Sequence, residues 1–271
     1  KFKPRIQDAA AKQGIALIQF PNNEIAEQLN GGSRGKGKFY ELYGSDHSAG
    51  ALMAWAWGVS RLIDALELAP NSPINASRLG ITGCSRNGKG ALVAGAFDER
   101  IKLTIPQESG SGGSASWRVS DDQKSAGQNV QTLSQIVTEN VWFADKFKGF
   151  DQSANRLPYD QHSLMGMVAP RGLLVIENTS MEWLGNRSAY TAALAAREIW
   201  RAQGIESNFG FSQLGGHNHC QLPETQAPEV ASFIQKFLLD DVAANTALFK
   251  SDTEFQVNKD KWVNWQTPQL K

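Results

Sequence analysis

The chain has 271 residues, 41% hydrophobic and 20% charged, with 27 Lys plus Arg balanced by 27 Asp plus Glu. That length and apolar content suit one soluble domain with a sizeable core, and the even charge balance offers neither a basic surface for nucleic acid nor an acidic tail. The longest apolar stretch, around residues 51–59, is interrupted by Gly58 and followed by Arg61, so no membrane span is expected. No secretory leader is visible, and a first residue of Lys reads as a processed or trimmed form.

In chain order, short apolar runs alternate with longer helical patterns, the signature of a parallel sheet covered by helices. Residues 15–20 (IALIQF), stopped by Pro21, read as a buried strand. Residues 47–68 follow a Ser45-Asp46 cap and carry Leu52, Trp55, Val59, Leu62, Ile63 and Leu66 at helical spacing. A strand is expected at 79–82, then a turn and a helix over 88–97. Residues 101–106 form the next strand and run into the glycine-rich loop Glu108-Ser109-Gly110-Ser111-Gly112-Gly113. A strand at 173–177 (LLVIE), an amphipathic helix at 189–202 and the last clear strand at 208–213 follow. A helix near 228–239 precedes a tail rich in Lys, Asn and Gln. There is no internal repeat. The expected fold is α/β, a three-layer αβα sandwich with a mostly parallel central sheet. It is expected as a single domain over 1–271, with 240–271 as a peripheral tail.

Chemistry concentrates on Leu79-Gly80-Ile81-Thr82-Gly83-Cys84-Ser85-Arg86-Asn87-Gly88-Lys89-Gly90, a strand, a tight turn and a helix start. A serine on such a turn projects its hydroxyl above the sheet, small neighbours relieve crowding, and the helix N-terminus behind it favours an oxyanion. One reading of this segment is the nucleophile elbow of the α/β-hydrolase fold. The usual G-x-S-x-G is only partly met, because Asn87 holds the second glycine position and Gly88 comes one residue later. The same segment read alone is also an ordinary Gly-Ser turn. A complete sheet of this kind has four strands ahead of the elbow and the sequence offers one candidate, so the first strands are expected to be missing.

Four histidines are available as base. His217 and His219 lie in Gly215-Gly216-His217-Asn218-His219-Cys220, directly after the last expected strand, where this fold delivers its histidine. His47, at a helix start, and His162, before an apolar helix, read as structural. Three carboxylates compete to orient the imidazole: Glu108 after one strand, and Glu177 and Glu182 after the next. Residue types alone leave that choice open. The two cysteines, Cys84 and Cys220, each adjoin a candidate catalytic residue. If Ser85 and His219 meet, their neighbours meet too. A disulfide then becomes the favoured reading, and with it an oxidising compartment. It also favours His219 over His217. Three Asn-x-Ser/Thr sequons, at Asn75, Asn178 and Asn186, are compatible with secretion.

With these residues in place, Gly83-Cys84-Ser85-Arg86-Asn87-Gly88-Lys89 resembles the G-C-S-R-x-G-K motif of the glucuronoyl esterases, a carbohydrate esterase family. The likeness runs from about Asn23 to Leu239 through Gly37-Lys38-Phe39-Tyr40, His47-Ser48-Ala49-Gly50-Ala51, Trp55-Ala56-Trp57-Gly58, Pro106-Gln107-Glu108-Ser109-Gly110 and Gly216-His217-Asn218-His219-Cys220. The resemblance implies Ser85 as nucleophile, His219 as base and Glu108 as acid, with a Cys84–Cys220 disulfide tying nucleophile to base. It implies Arg86 at the oxyanion, and Lys89, Gln131, Glu139 and Trp183 around the uronate sugar. Lys89 and Glu139 can bond ring hydroxyls, Gln131 both donates and accepts, and Trp183 offers an apolar face with an indole donor. Without the resemblance, Trp183 reads as core, and Gln131 and Glu139 as a solvated helix face.

The function implied is hydrolysis of the ester between 4-O-methyl-D-glucuronic acid of glucuronoxylan and lignin alcohols, by a secreted monomer that binds neither nucleic acid nor membrane. No cofactor and no metal is expected: no His/Asp/Glu cluster has ligand spacing, and Gly110–Gly113 lacks the lysine of a phosphate loop. The rivals are another carbohydrate esterase, such as an acetyl xylan esterase, and a non-catalytic carbohydrate-binding protein on the same fold.

Overall fold

The computed structural model describes residues 5–69 and 71–270. Its frame is a five-stranded sheet in the order β1-β2-β3-β4-β5, every neighbouring pair parallel. The strands are β1 (Leu79–Cys84), β2 (Ile101–Gln107), β3 (Gly172–Glu177), β4 (Phe209–Gln213) and β5 (Leu248–Ser251). The main helices are α1 (Ile6–Ala11), α2 (Ala51–Leu68), α3 (Arg86–Phe97), α4 (Trp117–Ser125), α5 (Leu133–Glu139), α6 (Gln161–Gly166), α7 (Asn186–Ala202) and α8 (Ala227–Leu238). A parallel pair needs a crossover to bring the chain back, and a helix lies in each connection between successive strands.

Strand alternation divides the core into two layers. Leu173 and Val175 point into a cluster with Leu92, Trp200, Phe209 and Phe211 on the α3–α7 face. Leu174 and Ile176, one residue out of phase, point into Ile6, Val230, Phe233 and Ile234 beneath α1 and α8. On α7 the buried stripe Ala189, Ala192, Ala193, Ala196 and Trp200 keeps helical spacing, and its small side chains bring the helix close to the sheet. A third cluster, around Leu52, Trp55 and Trp142, packs α2 beside α3.

Three expectations are corrected. Residues 15–20 are not a buried strand: they pair with no strand, and Leu17 and Ile18 are 54% and 46% exposed. Ile15 packs on the α8 face and Phe20 on the α2 face, so the run between them passes around the sheet rather than joining its ladder. α2 begins at Ala51, not at residue 47, and Ser45-Asp46 does not cap it. Its first amides find partners elsewhere, Ala51 N–H on Val141 O (2.9 Å) and Leu52 N–H on Trp142 O (3.2 Å), so no capping side chain is needed. Finally, the segment after residue 240 is more than a peripheral tail, because a further strand follows 208–213. The polar segment beyond residue 240 supplies β5, at the sheet edge beside β4. There Phe249 stacks on Phe211 while Lys250 pairs with Glu229, an edge pattern too mixed in polarity to stand out in sequence.

Candidate active site

The segments that follow β1 and β4 line one cleft at the C-terminal side of the sheet, with Glu108 after β2 and Asn178 after β3 buried behind it, where a doubly covered parallel sheet places ligands. Ser85 sits between β1 and α3 with φ 58° and ψ −125°. Its amide donates to Gln107 O (2.9 Å), and its carbonyl accepts the first helical bond, from Lys89 N–H (3.1 Å). The glycines around it are sterically obligatory. A Cβ on Gly83 would lie 2.3 Å from Asn87 O, and one on Gly88 would lie 2.7 Å from Gln107 O. The turn therefore needs glycine at the position of Gly88, where this motif has it, and tolerates Asn87 one residue earlier.

Glu108 leaves β2 in a second strained conformation, φ 46°, and is fully buried. Its carboxylate is held from several sides. Oε2 accepts from His219 Nδ1 (2.5 Å) and Asn178 Nδ2 (3.5 Å), and Oε1 accepts from Cys220 N–H (3.1 Å) and Gln107 Nε2 (3.3 Å). Cys220 adds a third left-handed residue, φ 65°. Of four such non-glycine residues among the described ones, three are in this site, and strain of this kind persists where the surroundings over-determine it. Cys84 and Cys220 form a disulfide across a sequence separation of 136, with Cα atoms 5.6 Å apart.

The structure distinguishes the two neighbouring histidines. The His217 side chain is 4% exposed, with Nε2 on Leu214 O and Nδ1 on Asn218 O, both at 3.0 Å. The His219 side chain is 34% exposed and lines an open cleft of about 440 Å³ together with Gln28, Ser85, Arg86 and Asn87. His47 lies apart, its Nδ1 accepting from Ala49 N–H (3.1 Å), and His162 stacks on Trp265 in another groove.

Neither rival carboxylate touches His219. Glu182 is exposed and accepts from Asn129 N–H (3.3 Å). Glu177 is fully buried behind the loop after β2, its Oε1 accepting from Ser109 N–H (3.3 Å) and the Ser114 hydroxyl, its Oε2 without a partner among the described residues. Burial pushes Glu177 up to about 7; the Ser114 bond opposes that shift and the Glu108 charge adds to it. Burial likewise brings Lys89 down to about 8, against the pull of Glu139 and Glu177.

Lys89 donates to Ser109 O (2.6 Å), and its ammonium lies 5.7 Å from the Trp142 ring centroid. The Arg86 guanidinium lies 5.8 Å from the same ring and reaches Gln28 Oε1 (3.4 Å), which also accepts from Trp142 Nε1 (3.0 Å). Gln131 donates to Glu139, and its backbone N–H donates to Trp183 O (3.0 Å). Trp183 is half-buried, with the Lys124 ammonium 5.9 Å from its ring. Gln28, Trp142 and the side-chain role of Gln107 carry no signal in the sequence. Asn178 is legible only as part of a sequon, because a buried amide that braces other side chains leaves no local pattern.

Among the described residues, Cys84, His219 and Cys220 form a cluster with metal-ligand atoms, and there the two sulfurs are bonded to each other. No helix among them is long and apolar enough to cross a membrane.

The profile of the family described as "Glucuronyl esterase, fungi" matches residues 3–204. A 4-O-methyl-glucuronoyl methylesterase of Hypocrea jecorina is 54% identical over 260 residues, covering 96% of this chain and 56% of that protein. The one from Podospora anserina is also 54% identical, over 95% and 54%. The chain thus spans little more than half the length of these curated relatives. Among solved structures, the glucuronoyl esterase catalytic domain from Hypocrea jecorina superposes with a TM-score of 0.92 at 53% identity, covering 95% of this chain and 70% of that one. A mutant glucuronoyl esterase from Sporotrichum thermophile, in complex with methyl 4-O-methyl-beta-D-glucopyranuronate, superposes at 0.89 and 50% identity, covering 93% and 68%.

Proposed function

The chain belongs to the glucuronoyl esterase family, and from that premise we propose that it hydrolyses the ester joining 4-O-methyl-D-glucuronic acid of glucuronoxylan to lignin alcohols. The observation that best supports this reading is the 2.5 Å contact between His219 Nδ1 and Glu108 Oε2, with His219 and Ser85 on one cleft. Glu108, accepting the Nδ1 proton, holds His219 in the tautomer whose Nε2 is free to act as a base. Nε2 takes the Ser85 proton as Oγ attacks the C6 carbonyl of the glucuronoyl group. The developing oxyanion is held by the Arg86 N–H at the start of α3 and by the Arg86 guanidinium, each well-placed donor contributing on the order of 3 kcal/mol. His219 then protonates the leaving alcohol, and water, activated by the same base, releases the glucuronate.

Lys89, Gln131, Glu139 and Trp183 hold the uronate ring. Lys89 lies beside Trp142, and Gln131 links Glu139 to the Trp183 backbone. The enzyme acts outside the cell as a monomer, on a carbohydrate ester rather than on nucleic acid or membrane. The Cys84–Cys220 disulfide supports the extracellular setting.

The test is turnover of benzyl glucuronate, with acetylated xylan as the competing ester. Ser85→Ala is expected to abolish hydrolysis with the melting temperature retained. Undiminished turnover in that variant, or a preference for acetylated xylan, overturns the assignment.

A further inference from the structure

The catalytic reading leaves the three Asn-x-Ser/Thr sequons unused, and the fold treats them very differently. A glycan is attached through the side-chain amide nitrogen, so an acceptor asparagine must present Nδ2 to solvent in the folded protein. At Asn178 that nitrogen points inward, donating toward Glu108 Oε2 (3.5 Å) and His217 O (3.2 Å), and the side chain is fully buried. At Asn186, Nδ2 donates to Thr179 O (2.8 Å). The hydroxyl of its sequon, Ser188, is buried as well, donating to Ser116 O (2.7 Å) and facing Ser120 Oγ.

Asn75 is the opposite case. It is exposed, in the loop of residues 71–78 that joins α2 to β1. Its Oδ1 accepts from Ser77 N–H (2.9 Å) and from the Ser77 hydroxyl (2.7 Å), a side-chain turn that engages the amide oxygen of the sequon with its own hydroxyl. The turn is closed by Arg78 N–H on Asn75 O (3.1 Å) and tied down by Arg78 to Asp240 (3.1 Å). No hydrogen bond engages Nδ2 among the described residues. The loop also precedes β1 whereas Ser85 follows it. Six strand residues, about 20 Å at 3.3 Å each, therefore separate a glycan from the cleft.

We propose that Asn75 is this protein's N-glycosylation site, and that Asn178 and Asn186 are silent sequons. The proposal rests on the extracellular reading above. The co-substrate is a lipid-pyrophosphate-linked oligosaccharide of the secretory pathway. Nδ2 of Asn75 attacks C1 of its first N-acetylglucosamine. A C1–N bond replaces the C1–O bond, the lipid pyrophosphate leaves, and the amide gives up one of its two protons. A glycan on Asn178 would take a proton donor from behind Glu108 and place a bulky sugar in a closed core, so a chain modified there does not fold.

The experiment is secretion of the chain from yeast behind a supplied signal sequence, with peptide mass mapping before and after enzymatic deglycosylation. The expected result is glycan mass on the peptide carrying Asn75 and on no other. It should vanish in Asn75→Gln and in Ser77→Ala and persist in Ser77→Thr, with ester hydrolysis unchanged in Asn75→Gln. Unmodified Asn75 in secreted folded protein, or glycan on Asn178 or Asn186, overturns the proposal. The supplied signal separates this outcome from the native location, and the mass readout separates it from the esterase assignment.

Discussion

Two buried glutamates, at the ends of neighbouring strands, have very different surroundings. Glu108 is surrounded by donors: an imidazole, two amide side chains and a backbone N–H. Glu177 has an oxygen without a partner among the described residues and lies beside Glu108, so burial disfavours its charge. Glu108→Gln is expected to lower kcat on benzyl glucuronate by about 10³–10⁴-fold, since an amide at that place favours the wrong imidazole tautomer. Glu177→Gln is expected to retain turnover but to change how stability depends on pH. Its carboxyl titrates near 4.5 when unfolded and near 7 when folded. Below the lower value both states hold the proton, so the group adds no pH dependence. As pH rises between the two, the unfolded chain ionises first and the native state loses stability. The melting temperature of Glu177→Gln relative to the parent should therefore climb from pH 4 to pH 7.5. A constant difference across that range would contradict the assignment.

At the scale of elements, the site depends on one turn with almost no spare volume. β1, the Ser85 elbow and α3 approach each other so closely that Gly88 stands 2.7 Å from Gln107 O and 3.0 Å from Gly83 O, measured from where a Cβ would be. Both obstacles are backbone, which cannot swing aside as a side chain can. Gly88→Ala is expected to cost about 1–3 kcal/mol of stability. Because β2 must shift to admit the methyl group, Glu108 moves with it, and kcat should fall as well. Calorimetry and turnover on the same sample test this. A fully active, equally stable Gly88→Ala protein would show that the turn is less constrained than its geometry implies.

For the whole molecule, the helical layer is fastened to the sheet at the end remote from the cleft. Arg100, just before β2, pairs with Asp98 (2.7 Å), Asp64 (2.7 Å) and Glu67 (2.9 Å) and donates to Ser60 O (3.3 Å). The last three partners belong to α2. Isolated surface ion pairs contribute little. Here one guanidinium joins two layers, and Asp98 is buried, so its loss leaves that carboxylate without its ion pair, held only by the Ser60 hydroxyl (2.7 Å) and the backbone N–H of residue 100 (3.0 Å). Arg100→Ala is expected to lower stability by about 1–3 kcal/mol, read by urea unfolding, with kcat unchanged. A large loss of kcat would mean that the two ends of the sheet are mechanically coupled.

The sequence by itself determined the fold class, the run of strands from β1 to β4 and the place of the elbow, because side-chain period and glycine spacing are local properties. Its long motifs also pointed to Ser85, His219 and Glu108 together, through their resemblance to one family. The tertiary structure decided what local pattern cannot hold. An apolar run such as 15–20 becomes a strand only when it is laid along a sheet edge, and packing of Ile15 and Phe20 on opposite faces carries it elsewhere, whereas β5 is a strand because it lies along β4. It likewise decided which histidine reaches the cleft and which of three glutamates meets it. His217 and His219 differ by two residues in sequence, but their rings point into a closed hydrogen-bonded corner and an open cleft. Asn75, Asn178 and Asn186 carry the same signature and differ only in what surrounds Nδ2. Burial and direction belong to the packed chain, and those two quantities separate His219 from His217 and Asn75 from the other two sequons.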